Sequence, residues 1–176
     1  MKRDHTGSMP TAANVPPSTA GNTGGDTGSA TARLLTPADG LPELTGCEVV
    51  EGWKVCKVRR DGRLAPLHDP RINAATFVDY RVGQWSVPSV ENSLLFGFGD
   101  LETAAGWVNR IVLGRVLYRA LLASPQMCPW MLRCWTRDLV RHFWSGAHAF
   151  DQKLWTELPR GTVACRAIKI LEEVKL

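Results

Sequence analysis

The first regular pattern along the chain is an alternation of apolar and polar positions over residues 52–60. A period of two is typical of a strand that buries one face. Asp61-Gly62 follows directly, and this dipeptide between two extended runs favours a type I′ turn, in which both central residues have positive φ. The sequence therefore predicts a β-hairpin that returns through residues 63–65.

Two more strands are predicted further along the chain. In residues 77–82, the apolar or aromatic side chains at every second position share one face, as expected for a strand. The apolar run at 94–98 predicts another strand. The glycines at 97 and 99 indicate a close backbone approach or a bulge at this place.

The clearest helix follows Asp100, because aspartate is a common residue at a helix N-cap. After it, apolar residues recur at i, i+3, i+4 and i+7, the pattern of a helix with one buried stripe: Leu101, Ala104, Ala105 and Val108. Residues 115–122 then predict a strand, and residues 162–171 predict the last one.

Residues 125–158 lie between these last two strands and carry four tryptophans. Thr136 is placed to cap a short helix in this segment, which we interpret as a helical excursion from the sheet. The order of elements predicts an α+β fold. It consists of a mostly antiparallel sheet, one packed helix, and the Trp-rich excursion before the last strand.

The composition of the N-terminal segment sets the predicted domain boundary. Residues 1–32 consist mainly of Thr, Ala, Gly, Ser and Pro, with too few large apolar side chains to offset the entropy of ordering the chain. We predict a disordered tail over residues 1–44 and a single domain over residues 45–176. No apolar run suits a secretory signal or a membrane span of about 20 residues, so we expect a cytosolic protein.

Cysteine and histidine spacing argues against a metal site. Four soft or borderline ligands lie within twenty-one residues: Cys128, Cys134, His142 and His148. Structural zinc sites separate paired ligands by about two to four residues, whereas both gaps here are of five. No Walker loop, nucleophile elbow or dinucleotide fingerprint is present. We predict no metal, no cofactor and no catalytic residue.

The charge pattern indicates a mild preference for an anionic ligand. The formal net charge is +4, and basic residues gather on the predicted hairpin and on neighbouring elements. The candidates are Lys54, Lys57, Arg59, Arg60, Arg63, Arg81, Arg110, Arg115 and Arg119. Arginine forks suit phosphate oxygens, but a solvated sheet face that prevents edge pairing is the favoured explanation for the hairpin residues taken alone.

Aromatic residues lie near those arginines in the sequence. Trp85 follows the predicted strand at 77–82, and Trp107 falls on the helix face opposite the predicted apolar stripe. A tryptophan off the stripe needs another partner, which the excursion, a second subunit or a ligand can supply. Asn109 and Arg110 beside it are candidates for hydrogen bonds to a base or a phosphate.

Several segments together resemble a known family. They are YRVGQWSVP at 80–88, LLFGF at 94–98, LETAAGWV at 101–108, and the Pro159-Arg160-Gly161-Thr162 turn before the last strand. The chain from about residue 50 to 175 resembles small phage-encoded proteins, above all the anti-Thoeris sponge family, Thoeris anti-defence protein one. The long tail and the Trp-rich excursion depart from that family's pattern.

The resemblance implies an oligomeric, non-enzymatic protein in the cytoplasm of the host bacterium. Such a protein binds cyclic ADP-ribose isomers made by bacterial TIR immune enzymes, and cyclic oligonucleotides, and thereby blocks antiviral defence. The chemistry of the arginine and aromatic side chains then selects the residues expected to bind phosphates and adenine. They are Arg81, Trp85, Phe96, Trp107, Asn109, Arg110 and Arg119.

Two other functions fit the same sequence. An ADP-ribosyltransferase-like enzyme would line its cleft with Tyr80-Arg81, the strand at 96–98 and a late glutamate, Glu172 or Glu173. A phage structural or accessory protein would use the tail to dock on a partner. Nucleic acid is not favoured as a partner, because the basic hairpin lacks interleaved aromatic residues and the charge excess is modest.

Overall fold

The computed structural model describes residues 33–36, 39–67, 78–108, 114–132, 136–145 and 155–176. Within these ranges the strands are β1 Arg33–Leu34, β2 Glu48–Val58, β3 Leu64–Ala65, β4 Trp85–Ser86, β5 Leu95–Phe98, β6 Arg115–Ala123, β7 Gln126–Met127, β8 Trp130–Leu132, β9 Trp155–Glu157, β10 Thr162–Cys165 and β11 Ala167–Val174. The α-helices are α1 Leu101–Val108 and α2 Arg137–Ser145, and Pro42–Leu44 forms a 3-10 turn.

Nine of these strands form one sheet in the order β4-β11-β6-β2-β5-β10-β7, with β1 and β3 also pairing with β2. Strands β8 and β9 form a separate two-stranded sheet. Every pairing between these strands is antiparallel. The predicted α+β fold with a mostly antiparallel sheet is confirmed.

The predicted hairpin is present, but its turn differs from the predicted type. Strand β2 pairs with β3 through Val58 and Leu64, and the N–H of Gly62 donates to the Arg59 carbonyl at 2.9 Å. Gly62 has a φ of 77°, whereas Asp61 is not among the residues with positive φ. One left-handed residue defines a three-residue loop with a glycine bulge, so the type I′ prediction was wrong.

Two strand predictions also need correction. The predicted strand at 77–82 is not one in the described part, residues 78–82, where Tyr80 makes an isolated bridge to Leu64. The partner β3 is two residues long, so no ladder can extend from it. The predicted last strand is two strands, β10 and β11, which pair with different neighbours. The break falls at the exposed Arg166, and the residues on either side of it, Cys165 and Ala167, are buried.

Helix α1 is confirmed together with its cap. The N–H of Thr103 donates to Asp100 Oδ1 at 2.7 Å, as expected at an N-cap. The buried face differs from the predicted stripe, since Leu101 is 42% exposed and Trp107 is half-buried against Phe98. The apolar surface beneath the helix includes Phe98, and the large indole covers it better than a residue at the helix start does.

The excursion contains the second helix that the sequence predicts. Thr136 Oγ1 accepts a hydrogen bond from the N–H of Leu139 at 3.2 Å, and α2 buries Val140, Phe143 and Trp144. In the described ranges, neither helix has the length and apolar character needed to cross a membrane. The excursion therefore adds an aromatic layer beside β5 and β10.

The described structure includes residues 33–36 and 39–44, which the sequence interpretation assigned to the tail. Leu35 and Leu44 are buried and pack with Val49 in one apolar cluster. These apolar residues extend the packed region ahead of Thr45. The rest of the predicted tail lies outside the described residues.

The sheet curves strongly around its main apolar cluster. This cluster draws residues from β2, β5, β6, β10 and β11. A Cβ added at Gly97 on β5 would lie 3.1 Å from Leu122 on β6 and 3.6 Å from Ile168 on β11, although β2 separates β5 from β6 in the sheet order. The close approach predicted at this glycine is therefore present, and the curvature brings β5 over the far strands.

Candidate functional site

A cavity opens where two neighbouring strands separate. Strand β2 pairs with β6 over nine residue pairs but with β5 only through Trp53 and Phe98. Beside this single pairing lies a cavity of about 300 Å³, which is at the lower end of the volumes that bind small molecules. Its aromatic lining comprises Tyr80, Phe96, Phe98, Trp107 and Trp144.

Lys54 places a cation in the wall of this cavity. The alternation along β2 turns its side chain to the same face as Cys56, and only 7% of the residue is exposed. Its Nζ donates a hydrogen bond to the Phe96 carbonyl and lies 4.9 Å from the centre of the Tyr80 ring. No carboxylate in the described ranges forms an ion pair with it.

The surroundings of Lys54 keep it protonated. Desolvation is the largest influence on the pKa of Lys54 and lowers it, but Tyr80, Cys56 and Cys165 together raise the pKa overall. At neutral pH, where these neighbours are uncharged, the ammonium is held by the Phe96 carbonyl and the face of the Tyr80 ring. Burial raises the pKa of Tyr80, and burial raises the pKa of Cys56 to about 12. At neutral pH the cavity therefore contains a buried ammonium beside an uncharged phenol and an uncharged thiol.

Arg115 adds a second cation to the cavity wall. It begins β6, is half-buried, and donates from Nη1 to the Trp107 carbonyl at 2.7 Å. Its guanidinium carbon lies 5.4 Å from the centre of the Trp107 ring, a cation–π distance. No ion pair of Arg115 is found within the part of the chain that the structure describes.

The aromatic wall is built from β5 and the two helices. Phe96 and Phe98 are two residues apart on β5, so their side chains face the same way. The Phe98 ring lies 6.4 Å from that of Trp107 on α1, and the Phe96 ring lies 5.7 Å from that of Trp144 on α2. The two ring pairs form a broad apolar surface against which a flat group can stack.

Two of the predicted ligand-binding residues line this cavity, namely Phe96 and Trp107. Arg81 is exposed and lines a separate recess of about 380 Å³ with Arg63 and Tyr118. Asn109 and Arg110 lie outside the described residues.

The other two predicted residues lie away from the cavity wall. Trp85 on β4 packs against the apolar cluster that contains Leu35 and Val49. Arg119 on β6 forms ion pairs with Glu51 at 3.3 Å and with Glu172 at 2.9 Å. Ion pairing with two carboxylates occupies its guanidinium, so the structure does not bring these residues together with Phe96 and Trp107.

Sequence reasoning missed the chemistry of Lys54. From its charge we expected it only to be one of the basic residues of the hairpin. The sequence nevertheless contained a sign of its burial. In an alternating strand, Lys54 shares a face with Gly52 and Cys56, and this is the face expected to be buried. Trp144 and Thr162 also line the cavity, and they come from segments whose placement no local pattern predicts.

The described ranges contain two of the four candidate zinc ligands and all the residues named for a transferase cleft, of which Tyr80, Phe96 and Phe98 line the cavity. Within them, no three His, Cys, Asp or Glu residues lie close enough to hold a metal, while Cys134 and His148 fall outside them. The Cys128 thiol donates instead to the Trp130 carbonyl at 3.2 Å. Glu172 and Glu173 are exposed on β11 and do not line the cavity.

The fold places the chain in the α+β class, with an aromatic, cationic cavity at the split between two strands. A scan against models of protein families found no match to the chain. Searches of curated proteins and of solved structures found no match either.

The buried cysteines provide a test of the packing around this site. Cys56 and Cys165 are fully buried, and burial raises the pKa of each thiol to about 12. Because the thiolate is the reactive form, we expect iodoacetamide at pH 8 to modify half-buried Cys47 well before these two. Site-resolved mass spectrometry measures the order, and equal labelling of Cys56 and Cys47 in the native protein would contradict the packing described.

Proposed function

We propose that this protein binds and sequesters a small anionic molecule that carries a flat ring. The observation that carries the proposal is the buried, protonated Lys54, which has no carboxylate partner in the described ranges and lies in an aromatic cavity. Burying an ammonium costs several kcal/mol unless an opposite charge compensates it. A bound anion supplies the missing charge, and Arg115 supplies a second contact for it.

The wall of the cavity favours binding over chemical turnover. Among the described residues, its lining contains no carboxylate or imidazole that could act as a general base at neutral pH. The aromatic pairs offer stacking energy of about 0.5–1.5 kcal/mol per contact beyond the area that they bury. A protein that binds its ligand tightly and does not convert it lowers the concentration of free ligand by mass action.

We further propose that the ligand belongs to the cyclic nucleotide immune signals that the sequence resemblance implies. These are cyclic ADP-ribose isomers and cyclic oligonucleotides in the cytoplasm of an infected bacterium, and a homo-oligomer would sequester them. Adenine and phosphate match the aromatic and cationic halves of the cavity. On this proposal one base and one phosphate occupy the cavity, since about 300 Å³ does not hold a whole cyclic dinucleotide.

Calorimetric titration tests the proposal. The purified protein is titrated with cyclic ADP-ribose isomers, cyclic di- and trinucleotides, and adenosine 5′-monophosphate, and the ligand is recovered afterwards for chromatography. We expect saturable binding of at least one of these anions, with the ligand recovered unchanged. Gel filtration of the same samples reports the state of assembly.

Two outcomes would overturn the proposal. If no anion gives a heat of binding or stays with the protein at micromolar concentration, the binding function is wrong. A structural or accessory role is then favoured. Recovery of a cleaved ligand, such as linear ADP-ribose from a cyclic ADP-ribose isomer, would instead assign an enzyme.

A further inference from the structure

Three side chains in the cavity wall have buried polar atoms that lack a hydrogen-bond partner in the described structure. They are Arg115 through Nε, Trp144 through Nε1 and Thr162 through Oγ1. Trp144 and Thr162 are each only 2% exposed. Buried polar atoms are almost always hydrogen-bonded in folded proteins, so several unpaired atoms around one cavity indicate an absent partner.

All three of these groups are hydrogen-bond donors. The indole and guanidinium nitrogens can only donate, and the Thr162 hydroxyl can donate or accept. No Asp or Glu of the described residues lines the cavity, and the acceptors among its side chains are the uncharged hydroxyl groups of Tyr80, Ser89, Ser93 and Thr162. Lys54 and Arg115 moreover bind the carbonyls of Phe96 and Trp107, so those two acceptors are already engaged.

The unpaired donors lie beside the aromatic wall. Thr162 on β10 is the register partner of Phe98 on β5, and Trp144 packs on Phe96. Both side chains therefore border the phenylalanine rings on which a flat group can stack. Donors at a ring edge recognise ring nitrogens or carbonyl oxygens, whereas the Lys54 ammonium recognises an acidic group.

We propose that the ligand is an anion whose uncharged ring carries hydrogen-bond acceptors, and that Thr162 selects for those acceptors. This inference rests on the proposed anion-binding function and specifies its ligand class. Cationic ligands and ligands rich in donors are disfavoured, because Lys54 and Arg115 repel a positive charge and the wall offers donors only uncharged hydroxyl acceptors. Thr162 therefore recognises the acceptors on the ring, while Lys54 recognises the acidic group.

Two probes separate the two recognition steps. Adenosine 5′-monophosphate has a phosphate and a ring with acceptor nitrogens, whereas phenyl phosphate has a similar anionic group on a ring without acceptors. Each is titrated into the wild-type protein and into Thr162→Val, which removes the hydroxyl and keeps the side-chain shape. Thr162→Ser is the matched control, because it keeps the hydroxyl and removes a methyl group.

We expect Thr162→Val to bind adenosine 5′-monophosphate about tenfold more weakly, the loss of one well-placed hydrogen bond, and phenyl phosphate as the wild type does. The ligand-free variant should melt about 3 °C higher, because it no longer buries an unpaired hydroxyl. Thr162→Ser should show the opposite order, with retained affinity and a lower melting temperature.

The inference fails if Thr162→Val binds both probes as tightly as the wild type does, or if it melts lower than Thr162→Ser. Either result leaves the anion-binding function standing, provided that the wild type binds and Lys54→Met does not. If the wild type binds neither probe nor any cyclic nucleotide, the proposed function itself fails and the inference falls with it.

Discussion

Lys54→Met is expected to abolish anion binding while leaving the ligand-free protein about as stable as the wild type. Methionine has a similar length and no charge, so it fills the same space among Tyr80, Phe96 and Cys56 without requiring a counter-charge. Replacing a buried charge with an apolar residue of similar volume is often neutral or stabilising. Against this gain, the Phe96 carbonyl loses its donor, which costs about 1–3 kcal/mol where no water replaces it.

Two measurements check this prediction. Calorimetry should show affinity reduced at least a hundredfold, and thermal melting should show a midpoint within about 3 °C of the wild type, which corresponds to about 1 kcal/mol. Lys57→Met is the matched control, since Lys57 lies on the same strand but is exposed and does not line the cavity. If Lys54→Met unfolds while Lys57→Met does not, the role of Lys54 is structural. It would then link β2 to β5, and the ligand-binding role would be contradicted.

Gly52→Ala is expected to destabilise the fold severely. A Cβ at this position would lie 2.3 Å from Leu122 Cδ1 and 2.7 Å from the Phe98 carbonyl oxygen. The leucine can rotate, but the carbonyl belongs to the backbone of β5, and moving it disturbs the single pairing of β2 with β5. Overpacking at such a place costs about 3 kcal/mol or more in the free energy of unfolding.

Urea denaturation measures this loss, and Gly106→Ala is the matched control. Gly106 is exposed on α1, and no atom lies within 4 Å of a Cβ added there. Alanine in a helix is more favourable than glycine by about 0.5–1 kcal/mol, so this variant should be more stable than the wild type. Equal stability of the two alanine variants would contradict the close contact of β2 with β5 and β6.

Local sequence patterns were sufficient to predict much of the sheet and both helices. The alternation at 52–60, the cap at Asp100 and the cap at Thr136 each correspond to an element in the structure. These signals are local, because caps and strand alternation depend on a few neighbouring residues. The division of the last strand into β10 and β11 at Arg166 depends on which neighbours the two strands pair with, and the local sequence does not record those partners.

The cavity was harder to predict because distant elements assemble it. Phe96 and Trp107 were selected for their ring chemistry, and both line the cavity. Arg81 and Arg119 were selected for charge, yet the first lies in a separate recess and the second binds Glu51 and Glu172. Sequence composition does not distinguish a cation that has an acidic partner from one that lacks it, and Lys54 differs from Arg119 in this respect.

Ligand binding in this cavity depends on a protonated Lys54 that contacts the acidic group of the ligand. Lysine labelled with ¹⁵N at Nζ, observed by NMR at pH 7 and assigned by comparison with Lys54→Met, reports on that ammonium directly. We predict a slowly exchanging Lys54 ammonium signal that shifts as adenosine 5′-monophosphate or a cyclic ADP-ribose isomer is added. A Lys54 signal that stays fixed while the ligand binds elsewhere would contradict the account.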